Sequence, residues 1–210
     1  MPPALPSFES GCAFLAKADP VLAKLVTRVG PCPIKPRPRT NPYESLVKAV
    51  TYQQLNGKAA ETILNRFKAL FPGRRFPKAD EVLRVPDDRL RAAGLSRNKL
   101  AAIKDIAAKT LDGTVPTNRT VKHMSDHELV ERLTTIRGVG PWTVEMLLIF
   151  TLGRPDVLPA TDYGVRQGFA LTYRLKGLPK PQEIMEHGER WRPWRSVAAW
   201  YLWRALEIRE

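Results

Sequence analysis

Residues 133–168, LTTIRGVGPWTVEMLLIFTLGRPDVLPATDYGVRQG, decide how this chain is read. A glycine hairpin, Gly138-Val139-Gly140, separates two helical patterns, and Asp162 stands twenty residues beyond Trp142. Glycines at 138 and 140 admit backbone angles closed to other residues and let a second backbone come close. Pro141 is preshaped for the first position of a helix. A helix N-terminus behind such a hairpin turns N–H groups and the positive end of its dipole outward, which suits an anion. A tight interhelical turn without a ligand has the same bare GxG. Leu133 and Ile136 before it and a helix from Trp142 after it favour phosphate. Thr161-Asp162 ahead of a helical run reads as an N-cap. The same carboxylate, kept ionised by a helix end, is also suited to face positive charge building on a sugar ring. The two roles are compatible.

Working outward, Gln53-Gln54-Leu55-Asn56-Gly57 interrupts two helical patterns. On its own this is a loop with a buried leucine. Its functional reading is insertion into a duplex, with the leucine wedging a base step and an amide filling the gap. Aromatics gather late in the chain: Trp142, Tyr163, Trp191, Trp194, Trp200, Tyr201 and Trp203. Most belong to a core. One or more is expected in a pocket, where a cationic alkylated purine would gain from stacking and cation–π attraction. His123 and His127 are spaced i,i+4 without an HExxH context and read as surface residues.

The 210 residues carry a net charge of +13, a footprint that fits nucleic acid. Cys12 and Cys32 are the only cysteines, which excludes a four-cysteine cluster and a structural zinc of the usual kind. A reducing compartment is the simpler inference, and a disulfide between the two stays open. The N-terminus lacks the basic and apolar regions of a signal peptide, and no apolar run is long enough to span a bilayer. The expectation is a soluble, intracellular protein: cytoplasmic and nucleoid-associated in a bacterium, nuclear in a eukaryote.

Helical periodicity predicts two short helices over 9–29, the second started by Asp19-Pro20, then a proline-rich basic linker over 30–42. Further helices are predicted at 43–53, 58–71, 79–84, 87–92 and 98–112, with Ser125-Asp126 capping the next. Helices at 142–152, 162–173, 179–190 and 194–208 complete the chain. No segment alternates as a strand. The predicted fold is all-α, with two helical lobes, a cleft between them and a helix-hairpin-helix over about 126–152. Residues 43–155 would form the central lobe, and 1–42 with 156–210 the other.

With these motifs the chain resembles the helix-hairpin-helix DNA glycosylases, specifically the AlkA/Mag-type 3-methyladenine DNA glycosylases. The resemblance rests on SLVKAVTYQQLNGKAA (45–60), IRGVGPWTVEMLLIF (136–150), LPATDYGVRQGF (158–169) and ERWRPWRSVAAWYLW (189–203), and covers roughly residues 40–208. It implies two all-α lobes and the monofunctional removal of alkylated bases, with 3-methyladenine the expected substrate and 7-methylguanine a related one, as the start of base excision repair. Asp162 would be the catalytic residue. Gln53, Gln54, Leu55, Asn56 and Gly57, with Gly138, Val139, Gly140, Trp142 and Thr143, would bind DNA. Trp142, Tyr163 and Trp203 would line the base pocket. No cofactor is required. Main-chain carbonyls of Thr134, Ile136 and Val139 would suit a monovalent cation, sodium or potassium, at the hairpin. The partner would be double-stranded DNA containing damaged bases, bound by a monomer with no role for a membrane.

Two features place the chain within that resemblance. Relatives with lyase activity carry a lysine where this chain has Trp142, and without that amine an imine has no evident nucleophile. About 42 residues precede the matching region, which suits the compact form without an extra N-terminal domain. The competing readings are a bifunctional glycosylase/lyase for oxidised bases, which Trp142 opposes, and a non-catalytic helix-hairpin-helix DNA-binding protein, which would need no Asp162.

Overall fold

Asp19-Pro20, Asn41-Pro42, Asn56, Ser96, Ser125 and Asp162 each combine a short polar acceptor with a following helical run, and each caps a helix. The computed structural model describes residues 8–35 and 40–208. Among them every regular element is helical: α1 (Phe8–Ala18), α2 (Pro20–Val29), α3 (Pro42–Tyr52), α4 (Gly57–Ala69), α5 (Ala79–Arg84), α6 (Asp87–Ala92), α7 (Arg97–Leu111), α8 (Asp126–Leu133), α9 (Pro141–Leu147), α10 (Tyr163–Thr172), α11 (Pro181–Gly188) and α12 (Arg195–Ala205). Short 3-10 turns at Val121–His123 and Glu189–Trp191 were not predicted. The part of the basic linker at 36–39 lies outside the described residues.

The described residues fall into two compact units, 40–147 and 8–35 with 148–208. The expected boundary near 155 therefore moves to Leu147. There the α-helix continues without a break into a π-helical turn, Leu148–Leu152, and no punctuating residue marks the change. None of the described helices is long and apolar enough to cross a membrane.

In the central unit, α3 packs against α4, α7 and α9. Leu46, Val47, Ile103, Ile106, Leu129, Leu133 and Val144 are buried there. Leu111, in the last turn of α7, is exposed.

The terminal unit is arranged around α12. Every residue from Arg195 to Leu202 is buried, so this helix is enclosed on all sides rather than amphipathic. It contacts α1, α2 and α10. Asp19, only 2% exposed, joins the two sequence-distant ends of this unit. Its Oδ1 accepts the Val21 and Leu22 amides that start α2, at 3.0 and 3.1 Å. Its Oδ2 accepts the Tyr173 hydroxyl at 2.6 Å and the Trp191 indole N–H at 3.1 Å, and lies 3.1 Å from His187 Nε2. Burial alone pushes this carboxyl up. The bonds from Tyr173, Leu22, Trp191 and His187 outweigh that and hold it at about 2. Cys12 and Cys32 are both free thiols in this unit. The Cys12 sulfur accepts the Tyr201 hydroxyl at 3.2 Å, and burial pushes the Cys32 thiol up to about 12.

A carboxyl with a folded pKa below its unfolded value stabilises the fold above the unfolded pKa, and that stability is lost as pH falls. Asp19 is therefore expected to contribute about 2 kcal/mol near neutrality, lost as pH falls from about 4 to about 2. Urea denaturation of Asp19→Asn at a series of pH values should show lower stability at pH 7 and a flatter curve across that acid window. An unchanged wild-type slope would exclude Asp19 as its source.

Candidate nucleic-acid and catalytic site

The hairpin belongs to the central unit, between α8 and α9. Ser125 and Glu128 form a capping box at the start of α8, and Thr134 is its C-cap. The turn is then closed by Ile136 N–H to Leu133 O at 3.2 Å and Val139 N–H to Ile136 O at 3.1 Å. The Val139 side chain is buried and anchors the turn, so only its backbone is available to a ligand. Gly138 has φ +74°, and a Cβ there would lie 2.8 Å from the Ala102 Cβ. Glycine is thus required twice over at 138. Gly140 differs from the expectation. Its φ is not in the left-handed region, and a Cβ would meet nothing within 4 Å. Its contribution is open space for an approaching backbone.

The helix end expected to supply anion-binding amides is partly occupied. Pro141 has no N–H, and the amides of Thr143 and Val144 both turn back to the Gly140 carbonyl, at 2.9 and 3.2 Å. Gly138 and Gly140 N–H donate to no acceptor among the described residues. Those two hairpin amides are available as donors. Thr143 is a further correction. It is 2% exposed, and its hydroxyl accepts Gln53 Nε2 at 3.1 Å, so its side chain faces protein.

The loop after α3 lies in the same unit. Gln54 adopts φ +56°, uncommon for a residue with a side chain, which turns the chain sharply. Leu55 is 39% exposed, contrary to the plain reading of this loop as one with a buried leucine. Asn56 caps α4 by accepting the Ala59 amide at 2.9 Å, and Gly57 is the first residue of that helix. Gln53 does not project as a loop side chain. Its Nε2 donates to the Gly138 carbonyl and to Thr143 Oγ1, both at 3.1 Å. Trp142, at 36% exposure, is a surface aromatic of this unit.

Asp162 lies in the terminal unit as the N-cap of α10. Its Oδ1 accepts the Val165 amide at 2.8 Å and the Trp203 indole N–H at 2.8 Å. Capping and a second, side-chain donor therefore fix one orientation of the half-buried carboxylate. The expected pocket aromatic Trp203 thus touches the carboxylate directly. It also stacks on Phe150, with centroids 5.8 Å apart and planes 28° from parallel. Phe150, in the π-helical turn, was missed because a π turn leaves no periodic signal. Tyr163 is 63% exposed, and its hydroxyl accepts Gln167 Nε2 at 2.8 Å.

Two glycines let Trp203 reach Asp162. A Cβ on Gly164 would stand 2.9 Å from Trp203 Cδ1 and 3.1 Å from Asp162 Oδ1. A Cβ on Gly168 would stand 1.9 Å from the Leu202 carbonyl oxygen. Spaced i,i+4, they form one face of α10 and bring α12 to backbone contact. The spacing is visible in the sequence, but its partner is not.

Known proteins similar to this chain show its family. A model of the HhH-GPD superfamily base excision DNA repair proteins matches residues 47–193. This chain belongs to that superfamily. It is 41% identical over 195 residues to DNA-3-methyladenine glycosylase 1 of Schizosaccharomyces pombe, covering 92% of this chain and 86% of that one. It is 34% identical to alkylbase DNA glycosidase-like protein mag2 of the same organism, covering 92% of each. The solved structure of the S. pombe 3-methyladenine DNA glycosylase Mag1 in complex with abasic DNA matches with a TM-score of 0.88 at 40% identity, over 95% of this chain and 97% of that one. The Bacillus halodurans DNA-3-methyladenine glycosidase matches with a TM-score of 0.79 at 33% identity, over 96% of this chain and 90% of that one.

Gly168→Ala is expected to destabilise the protein by at least about 1–3 kcal/mol, because backbone atoms cannot yield as a side chain can. Chemical denaturation measures it, and a wild-type midpoint would show that α10 and α12 separate without cost.

Proposed function

We propose that this chain is a monofunctional DNA glycosylase that hydrolyses the N-glycosidic bond of alkylated bases in duplex DNA, with 3-methyladenine its foremost substrate. The single observation that carries this reading is the Asp162 carboxylate, held by Val165 and Trp203 in one orientation at the start of α10. The relatives named above lend it their substrate class.

The chain's own residues assign the steps. The excess of basic side chains attracts the phosphate backbone, through contacts that weaken as salt rises. The amides of Gly138 and Gly140 hold one phosphate, a contact that needs no side chain. Leu55 enters the base stack and the damaged nucleotide turns out, at least cost where pairing is already weak. Tyr163, exposed and next to Asp162 in the chain, offers a face for an electron-poor purine to stack on. An N3- or N7-alkylated purine carries a positive charge and leaves without a strong acid. As the bond to C1′ loosens, positive charge moves onto the sugar, and a fixed carboxylate stabilises it without reorganising. Water completes the hydrolysis, and Asp162 is placed to orient it.

A monovalent cation at the hairpin is compatible with the chain. Thr134 closes α8, where the negative end of the helix dipole favours a cation. The Ile136 carbonyl accepts one amide and keeps a second lone pair. With Val139, these carbonyls would hold the ion, which would stiffen the turn.

Asp162→Asn should preserve the helix cap, since asparagine caps as well as aspartate. It should still bind damaged duplex but release base more slowly by about 10²–10³-fold in single turnovers. An unchanged rate would remove Asp162 from the chemistry. Borohydride should trap no covalent adduct between this chain and DNA, because Trp142 offers no amine. A trapped adduct would favour the glycosylase/lyase reading.

A further inference from the structure

The hairpin and the 53–56 loop are far apart in sequence, yet both rest on α7. Arg137 N–H donates to Asp105 Oδ2 at 2.7 Å, and Gly138 lies against Ala102. Nearer the start of α7, Lys99 Nζ donates to the carbonyls of Thr51 and Gln53, at 2.7 and 2.8 Å. Lys99 thereby closes the C-terminus of α3, where a cation meets the negative end of the dipole. Burial lowers the pKa of its ammonium. Its charge serves the protein fold rather than a phosphate.

Gln53 completes this arrangement. Its main chain is held by Lys99, and its side chain bridges Gly138 O and Thr143 Oγ1. One residue therefore links the first position of the loop to the turn and to the helix behind it. An amide is suited to this place, because its NH₂ group supplies two donors and two acceptors are present. Glutamate would bring acceptors to a carbonyl, and alanine would leave both acceptors unmatched.

We propose that Gln53 is a positioning residue that fixes the inserting loop to the phosphate-holding hairpin, so that gripping the backbone aims Leu55 at the stack. The inference rests on the glycosylase reading above and assigns Gln53 no contact with DNA. A strut of this kind matters when a paired base must be displaced. It matters little when the lesion is already unpaired.

The test uses full-length protein and two duplexes bearing the same methylated purine, one opposite its normal partner and one opposite an abasic gap. Gln53→Ala should slow single-turnover base release from the paired duplex by about tenfold, the scale of one or two lost hydrogen bonds. From the gapped duplex the loss should be roughly twofold at most, since extrusion there costs less. Affinity for unmodified duplex and its salt dependence should not change. Thr143→Val, which removes one acceptor without touching Gln53, should shift the paired-duplex rate the same way by a smaller factor. Equal slowing on both duplexes, no slowing on either, or a loss of affinity for unmodified duplex would each overturn the proposal. If wild-type protein released no base from either duplex, the glycosylase reading itself would fail.

Discussion

One oxygen of one carboxylate organises the terminal unit's chemistry. Asp162 Oδ1 accepts from the backbone of its own helix and from an indole forty-one residues later, and both bonds are 2.8 Å. Neither is exceptional alone. Together they turn an N-cap, which needs only an oxygen near an amide, into a carboxylate with a fixed direction. The indole arrives only because α10 presents Gly164 and Gly168 to α12, where any side chain at 168 would meet a carbonyl oxygen. The close approach of two helices is thus a condition for the orientation of the acid.

The central unit follows the same logic with the backbone in place of a carboxylate. α7 supports the hairpin through Asp105 and Ala102 and the loop through Lys99, while Gln53 spans the two. Basic and polar residues that a composition count would assign to DNA are here partly occupied in shaping the surface. Net charge describes attraction at a distance. It does not say which cations touch phosphate, and Lys99 is one whose bonds are internal.

Much of the fold was legible because its signals are local. Asp19-Pro20 and Ser125-Asp126 mark helix starts through bonds within a few residues, and those helices begin where the sequence places them. The family resemblance also named the hairpin and Asp162. What stayed hidden depends on partners remote in the chain. Gln53 reads as a loop amide until Gly138 and Thr143 come beside it. Trp203 reads as a pocket aromatic, though its N–H is spent on Asp162. Gly138 and Gly140 look alike in sequence, but only the first is confined by its φ and by Ala102. The π-helical turn carrying Phe150 has no period to detect, and it moved the boundary between the units.

If the fixed carboxylate faces a cationic sugar, it should recognise that charge even with no base to remove. The most direct measurement is binding to duplex DNA in which a protonated pyrrolidine replaces one deoxyribose, compared with a neutral abasic analogue. Wild-type protein should prefer the cationic ring by about 100-fold or more, as transition-state mimics are preferred, and Asp162→Asn should lose that preference while binding the neutral analogue normally. Equal wild-type affinity for the two duplexes would contradict a charge-stabilising role for Asp162.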